Sequence, residues 1–335
     1  MSQLRPVQVA VIGTGGMARH HIRGMLKQTD TTHIRVVCEP SEAAYAAASE
    51  LFREAGLEPP VNEPDFEKFL DDYGKDIDVA LIVTPHNLHY PQAVACMEHG
   101  IDVLLEKPMV MSGDEAVKLI ETRDRTGRLA AVAFNGSMSP YIRTAVNMLR
   151  SGELGEILTI EALHHQDWRE LTIGTWRQIP EIAGGGYLFD SGAHMLNSVV
   201  DLAGEEFAEV RAWTDNRGTP VDIMGVIIGK LRSGKLVSMH GCGDTPVGGS
   251  EIRVFGTKGM LRTGVYGERL EAAFNREDGL QPVEVPPSLG TWQQFLMVRD
   301  GNLPNPCPPE VGLRMAKLWD AIQQSAAQNG APVSL

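Results

Sequence analysis

Cysteine is scarce in this 335-residue chain, and the four present, Cys38, Cys96, Cys242 and Cys307, stand far apart with no Cys-x-x-Cys spacing. That excludes a zinc ribbon and a disulfide framework, so the four read as reduced thiols. Clustered positive charge is missing too. The formal charge is -13 and no basic block interrupts it; nucleic acid and anionic membrane are set aside as partners, because both need grouped Lys and Arg to neutralise phosphate. No apolar run reaches the roughly 18 residues of a membrane span. Met1 to Pro6 leaves no room for a signal peptide ahead of the first apolar strand. The expectation is a globular, cytoplasmic protein without internal repeats, long enough for about two domains.

What is present first is alternation. Val7 to Ile12 is a short β-rich run, followed by a glycine turn and a helical stretch through Lys27. Ile34 to Cys38, Ile77 to Val83, Ile101 to Leu105 and Leu129 to Phe134 are further strands, nearly apolar throughout, as strands buried on both faces are. Helical patterns at 41–55, 88–99 and 112–126 separate them. Such alternation specifies right-handed βαβ units and a doubly wound parallel sheet. Beyond about residue 135 the pattern changes. A helix at 139–151 leads into the strand Ile157 to Leu163, and Phe207 to Thr214, Ile223 to Leu231, Leu236 to His240 and Glu251 to Phe255 then follow as neighbouring strands, with short ones to about 285. Arg232-Ser233-Gly234 makes a hairpin loop among them. The fold class is therefore α/β, with a Rossmann domain at 1–135 and an α+β domain with an open, mainly antiparallel sheet at 136–335. Helical segments at 289–300 and 309–328 close the chain, the last a candidate to pack back on the first domain.

Gly13-Thr14-Gly15-Gly16-Met17-Ala18, between a strand and a helix, has the context of a dinucleotide site. Gly13 suits the tight turn, Gly15 lets backbone approach a pyrophosphate, Ala18 is small enough for close helix packing, and the helix N-terminus faces the phosphates. Glu39 ends the second strand, 21 residues after Ala18, at the ribose position. A carboxylate there repels a 2′-phosphate by on the order of 4 kcal/mol at 4 Å and intermediate dielectric, favouring NAD over NADP. Thr84, Pro85, His86 and His89 follow the strand ending at Val83 and are assigned to helix capping and nicotinamide contacts in preference to a metal.

Glu106-Lys107-Pro108 follows the run Ile101 to Leu105, where a buried parallel strand would emerge and where open α/β sheets bind ligands. Pro108 biases Lys107 away from helix, leaving its ammonium at the strand's mouth, a place for proton-transfer chemistry. In the second half, three glycines at 184–186 precede a helical segment that puts Asp190 and His194 at i and i+4, so that the carboxylate orients the imidazole and makes it a better proton acceptor. His164 and His165 are adjacent on a strand and point to opposite faces, so one of them lines a cleft. The block assigned to substrate is His165, Trp176, Arg177 and Asn197, with Gln166-Asp167-Trp168 as further hydrogen-bonding and aromatic groups.

Taken together, the glycine turn, Thr84-Pro85 with His89, Glu106-Lys107-Pro108, Gly152-Glu153-Leu154-Gly155, Trp176-Arg177, the 184–194 passage and Gly256-Thr257-Lys258-Gly259 resemble the Gfo/Idh/MocA family over nearly the whole length. The resemblance implies NAD(P)-dependent oxidation of a secondary alcohol on a sugar or polyol, or the reverse, in dimers or tetramers built through the open sheet. It implies a Lys107, Asp190 and His194 triad, with either Lys107 or His194 as the base. Two positions depart from the family pattern: Asn197 where many members have aspartate, and Gly136-Ser137-Met138 where an arginine is often found. Two other readings remain beside this one: glycoside cleavage through transient oxidation, and a sugar or nucleotide sensor without catalysis.

Overall fold

The computed structural model describes residues 5–277 and 279–335. Residues 1–4, within the Met1 to Pro6 segment read as too short for a leader, lie outside the described residues. Two compact units are present. One takes the chain to Met109 with Val117–Ala133 and Leu289–Pro309; the other takes Val110–Ala116, Phe134–Ser288 and Glu310–Leu335.

In the first unit, β1 (Val7–Ile12), β2 (Thr32–Cys38), β3 (Val61–Asn62), β4 (Val79–Ile82), β5 (Asp102–Leu105) and β6 (Ala130–Val132) make one sheet in the order β3-β2-β1-β4-β5-β6. Every neighbouring pair is parallel. Val9 to Ile12 and Val79 to Ile82 are wholly buried, as both faces of a parallel sheet must be. The helices are α1 (Gly16–Met25), α2 (Glu42–Glu54), α3 (Phe66–Tyr73), α4 (His86–Glu98) and α5 (Gly113–Thr126). The Ser41 and Asp65 side chains cap α2 and α3 by accepting from Ala44 and Lys68 N–H. β3 and α3 are absent from the sequence reading; a two-residue strand and an eight-residue helix are too short for periodicity to register. A late segment completes this unit: Trp292 Nε1 donates to Thr32 Oγ1 at 2.8 Å and Arg299 Nε to Asp102 Oδ2 at 3.0 Å.

Register decides what this sheet presents. Ile12 pairs with Cys38 on one side and Ile82 on the other, and Ile82 pairs with Leu105. The residues that follow, Gly13, Glu39, Val83 and Glu106, therefore leave the sheet side by side at its carboxyl edge. The strand order reverses between β1 and β4, the switch point at which such sheets bind ligands.

The second unit has α6 (Asn135–Met138), α7 (Pro140–Arg150), β7 (Ile157–His165), α8 (Trp168–Thr172), α9 (Pro180–Ala183), α10 (Tyr187–Asp190) and α11 (Ala193–Ala203). Then come β8 (Phe207–Asp215), β9 (Met224–Leu231), β10 (Leu236–Cys242), β11 (Gly249–Gly256), β12 (Met260–Thr263), β13 (Leu270–Ala273), β14 (Gln281–Pro282), α12 (Pro309–Ala327) and β15 (Val333–Ser334). The nine strands run β14-β13-β12-β11-β7-β10-β9-β8-β15. All pairs are antiparallel except β7 with β10. Residues alternate strictly along β9 and β10. The inward ones are buried under helices; the outward ones leave Val226, Ile228 and Leu236 exposed.

Glycine makes the helix layer fit. A Cβ on Gly225 or Gly241 would meet a Leu188 methyl at 2.6 or 2.4 Å, so α10 seats this leucine on two bare backbone positions. Gly186 is tighter still, its would-be Cβ 1.9 Å from the Asp222 carbonyl oxygen. The Asp222 carboxylate accepts from Gly186 N–H at 2.7 Å and Leu188 N–H at 2.8 Å. Burial pushes its pKa up, against those bonds. The single helix expected through Asp190 and His194 is interrupted. Ser191 and Gly192 form a turn between α10 and α11, because Gly192 N–H turns to the Tyr187 carbonyl and a side chain at 192 would collide with Leu188 backbone at 2.6 Å.

Gly186→Ala should lower stability by about 2 kcal/mol or more, since backbone must move to admit a methyl. Gly24→Ala, in α1 with no atom within 4 Å of the new methyl, should leave stability unchanged or raise it by up to about 1 kcal/mol. Urea denaturation of both variants is the measurement; equal effects would contradict the packing described.

Candidate functional site

In the first unit the glycine turn is shaped by close approach on one side and emptiness on the other. Gly13 has φ +84° and its would-be Cβ lies 2.8 Å from the Val83 carbonyl oxygen and 3.1 Å from Thr84 Cγ2. Only glycine fits. Gly15 and Gly16 have no protein atom within 4 Å of a would-be Cβ. Their backbone forms an open cradle at the N-terminus of α1, where no side chain caps the helix. Ala18 is buried beneath and Met17 is 43% exposed.

Glu39 is tied to this turn. Its Oε2 accepts from Thr14 N–H at 2.7 Å and Thr14 Oγ1–H at 2.9 Å, and its Oε1 from Ser41 N–H at 2.8 Å. A carboxylate offers about four acceptor positions, so one remains for a ligand hydroxyl.

Pro85 stands at the N-cap of α4, and Thr84 Oγ1 donates to Gln92 Oε1 at 2.7 Å. His86 and His89 are both buried. His89 has its Nδ1 2.8 Å from the Pro108 carbonyl and its Nε2 2.9 Å from the Thr84 carbonyl. It thus sits between the two loops that leave β4 and β5, and a neutral ring, with one N–H, donates to one of the two carbonyls at a time. Burial pushes its pKa down, against the pull of the two carbonyls.

The Lys107–Pro108 peptide is cis. Lys107 is half-buried at the end of β5, and its N–H donates to Glu106 Oε2 at 3.0 Å. The other oxygen of Glu106 lies 2.7 Å from His21 Nε2. His21 belongs to α1, so this buried pair keys the helix behind the glycine turn to the strand that carries Lys107. Burial opposes the Glu106 charge, but the bonds to His21 and to Lys107 outweigh it and hold the carboxyl below the usual carboxylate range. Sequence reasoning missed His21. The signal was there: Ala18, His21, Ile22 and Met25 are the buried stripe of α1, and one member is polar.

In the second unit Asp190 and His194 are both buried. Asp190 Oδ2 accepts from Trp168 Nε1 at 2.8 Å and Arg177 Nε at 3.0 Å. Arg177 in turn lies over the Trp176 ring, 4.5 Å from its centroid. Trp168 is buried, so it serves as a hydrogen-bond donor to Asp190 and offers no platform to a sugar; Trp176 is half-buried. Gln166 Nε2 donates to Ser191 Oγ at 2.7 Å. His194 lies between two aromatic rings, Phe134 edge-on at 6.0 Å and Tyr266 at 4.6 Å.

Two further residues assigned to substrate, His165 and Asn197, have partners within the protein. His165 points away from the face that His164 shares with Ile160 and Ala162, and its Nδ1 meets the Val247 carbonyl at 2.7 Å. His164 is the buried one of the pair, with Nε2 3.1 Å from Tyr266 Oη. Asn197 is buried at 1% exposure and donates from Nδ2 to Ser137 Oγ at 2.8 Å. Ser137 donates to Asp201, which also receives Arg143 and lies 3.6 Å from Arg314. Asn197 Oδ1 is buried with no hydrogen-bond partner among the described residues. Tyr266 lies between His164 and His194.

Glu106→Gln should lower stability at pH 7 by about 1–3 kcal/mol, since it removes the charge from a buried, doubly bonded group. The folded-state carboxyl titrates below the ordinary 4.5, so the deficit is present above that pH and shrinks as pH falls through the folded-state value. Urea midpoints at pH 7 and pH 3 check this; a deficit of equal size at both would show that the charge is not what matters.

Residues 7–134 match the family model described as the oxidoreductase family with an NAD-binding Rossmann fold, and residues 142–262 match the GFO/IDH/MocA C-terminal domain. A glycosyl hydrolase family 109 protein of Bacteroides fragilis is 32% identical over 167 residues, 49% of this chain and 39% of that protein. A levoglucosan dehydrogenase of Pseudarthrobacter phenanthrenivorans is 31% identical over 202 residues, 58% of this chain and 50% of its own. The matches thus span half or less of these curated relatives. The crystal structure of an inositol dehydrogenase homolog from Azotobacter vinelandii, complexed with NAD+, superposes with TM-score 0.85 over 100% of this chain and 98% of that one, at 19% identity. With both family domains matched in order, the expected Rossmann and open-sheet architecture found, and the glycine turn in its place, the chain belongs to the Gfo/Idh/MocA oxidoreductase family.

Proposed function

We propose that this protein is an NAD-dependent oxidoreductase acting on a secondary alcohol of a sugar, inositol or related polyol. The observation that carries the reading is the bare backbone of Gly15 and Gly16 at the sheet edge from which Glu39 and Lys107 emerge. The relative named levoglucosan dehydrogenase supports the substrate class.

The residues present fit the dinucleotide. The open cradle admits a pyrophosphate at the α1 N-terminus, and the remaining acceptor position of Glu39 takes a ribose hydroxyl while opposing a 2′-phosphate. Thr84, Pro85 and the Glu106-Lys107 strand end flank the same edge. When bound, NAD accepts the hydride of the carbinol carbon. The chain handles the proton: His194 takes it from the hydroxyl, and the Lys107 ammonium steadies the developing alkoxide. Asp190 orients the imidazole, and Arg177 and Trp168 fix Asp190 in turn.

A second reading follows from the family 109 relative: glycoside cleavage through transient oxidation, with the cofactor regenerated in each cycle. A screen of sugars, inositols, their keto forms and aryl glycosides separates the two. The dehydrogenase reading expects net NADH formation or consumption. Cleavage without net NADH would replace it by the second, and tight NAD binding with no turnover at all would point to a sensor. On the best alcohol, Lys107→Met and His194→Ala should each cost about 10²–10⁴ in kcat; near-wild-type turnover in both would remove the assignment.

We also infer a cytoplasmic homo-oligomer. All four cysteines are free thiols, as in a reducing compartment, and no helix among the described residues is long and apolar enough to cross a membrane. The outward face of the second sheet carries Trp213, Val226, Ile228 and Leu236, each more than 40% exposed. An apolar face of this kind suits a second copy of the chain. Light scattering on wild type and on an Ile228→Asp/Leu236→Asp double variant should show a dimer or tetramer reduced to monomer; a monomeric wild type would overturn the inference.

A further inference from the structure

The turn between β12 and β13 is fastened more heavily than a surface hairpin requires. Ser139 Oγ donates to the Gly267 carbonyl at 2.6 Å, Ser198 Oγ donates to the Val265 carbonyl at 2.8 Å, and Val265 N–H donates to Ser250 Oγ at 3.1 Å. Three serines on three different elements, one before α7, one on α11 and one on β11, therefore hold three backbone groups within three residues. Close approach reinforces them. A Cβ on Gly136 would stand 2.9 Å from the Val265 carbonyl oxygen, and Gly267, at φ +66°, would put one 2.5 Å from Ser139 Cβ. The residue between the fastened positions is Tyr266.

Tyr266 is placed by this turn against two histidines. Its hydroxyl lies 3.1 Å from His164 Nε2 and its ring 4.6 Å from the His194 ring, inclined at 54°. His164 is itself buried on β7 and packed against Tyr187 at 5.5 Å. Phe134 meets His194 edge-on at 89°. Burial, with the Asp190 and Glu268 carboxylates adding to it, pushes the Tyr266 phenol up to about 12, so it keeps its proton across the working range of the protein.

We propose that Tyr266 is the positioning residue for His194: its ring, fixed through the hydroxyl contact with His164 and the three-serine turn, holds the His194 imidazole in one orientation. The proposal rests on the reading of His194 as the proton acceptor. An imidazole has two distinct nitrogens, and only one ring orientation turns the accepting one toward the substrate. Packing on two sides by rings of fixed orientation limits rotation about the side-chain bonds, and misplacement of a proton acceptor is costly to rate. Tyr266 acts through His194 and needs no contact with substrate.

The test uses the full chain labelled with ¹⁵N-histidine. Wild type should show single, sharp His194 ring-nitrogen signals. Tyr266→Leu should show averaged or broadened ones, and Tyr266→Phe and His164→Leu, which both break the hydroxyl contact while keeping a ring at 266, an intermediate pattern. Kinetics on the best alcohol should give a fall in kcat of about tenfold or more for Tyr266→Leu with KM for NAD unchanged, and recovery to within about threefold of wild type for Tyr266→Phe. If Tyr266→Leu does not fold, the Tyr266→Phe and His164→Leu spectra decide. Unaltered His194 signals throughout the folded variants would overturn the proposal. A wild type with no turnover would sink the dehydrogenase reading while the nitrogen spectra still judge Tyr266.

Discussion

The register of four parallel strands is the constraint on which the site depends. Because Ile12 pairs with both Cys38 and Ile82, and Ile82 with Leu105, the chain leaves the sheet four times along one line. A one-residue slip in any pair would move Gly13, Glu39, Thr84 or Lys107 off that line and turn buried side chains to the wrong face. The apolar runs of β1, β4 and β5 are therefore as much a part of the cofactor edge as the glycines are. Gly13 gives the same constraint its local form: its backbone rests on the Val83 carbonyl, so the turn after β1 is set by the strand beside it.

Polar groups inside the two units do different work from those at the edge. The His21–Glu106 pair, His89 between two carbonyls, and Asp222 beneath Gly186 are all buried and all bind backbone or a neighbour committed to backbone. Each costs desolvation and returns a fixed position for a loop. The second unit uses the same device around Asp190, whose charge is met by Arg177 and Trp168, and around Asp201, met by Arg143 and Ser137.

Much of this was legible in the residues. Alternation of apolar strands with helical patterns fixes a parallel sheet, and the glycine turn, Glu39 and Glu106-Lys107 were located by their place after strands. What escaped has identifiable causes. α3 and β3 are too short to carry a period. His164 and His165 could have been told apart by the buried phase Ile160, Ala162, His164, but Leu163 of the opposite phase is apolar and exposed, and Leu158 of the buried phase is exposed too, so alternation of hydrophobicity is blurred. The break between Asp190 and His194 depends on Leu188 backbone crowding Gly192, and Tyr266 on three serines from distant parts of the chain. Neither is a local property of sequence.

Glu39 holds a last consequence. Three of its acceptor positions are filled by Thr14 and Ser41, groups of the protein itself, before any ribose arrives. The residue that would choose between cofactors is thus also a strut of the loop that receives them. A lineage drifting toward the phosphorylated dinucleotide could not simply exchange this carboxylate for an apolar or basic side chain. It would leave the buried Thr14 N–H and hydroxyl without an acceptor, so the exchange becomes viable only after, or together with, a compensating change at 14 or 41. The choice of cofactor would thus be tied to the fold of the receiving loop as well as to binding.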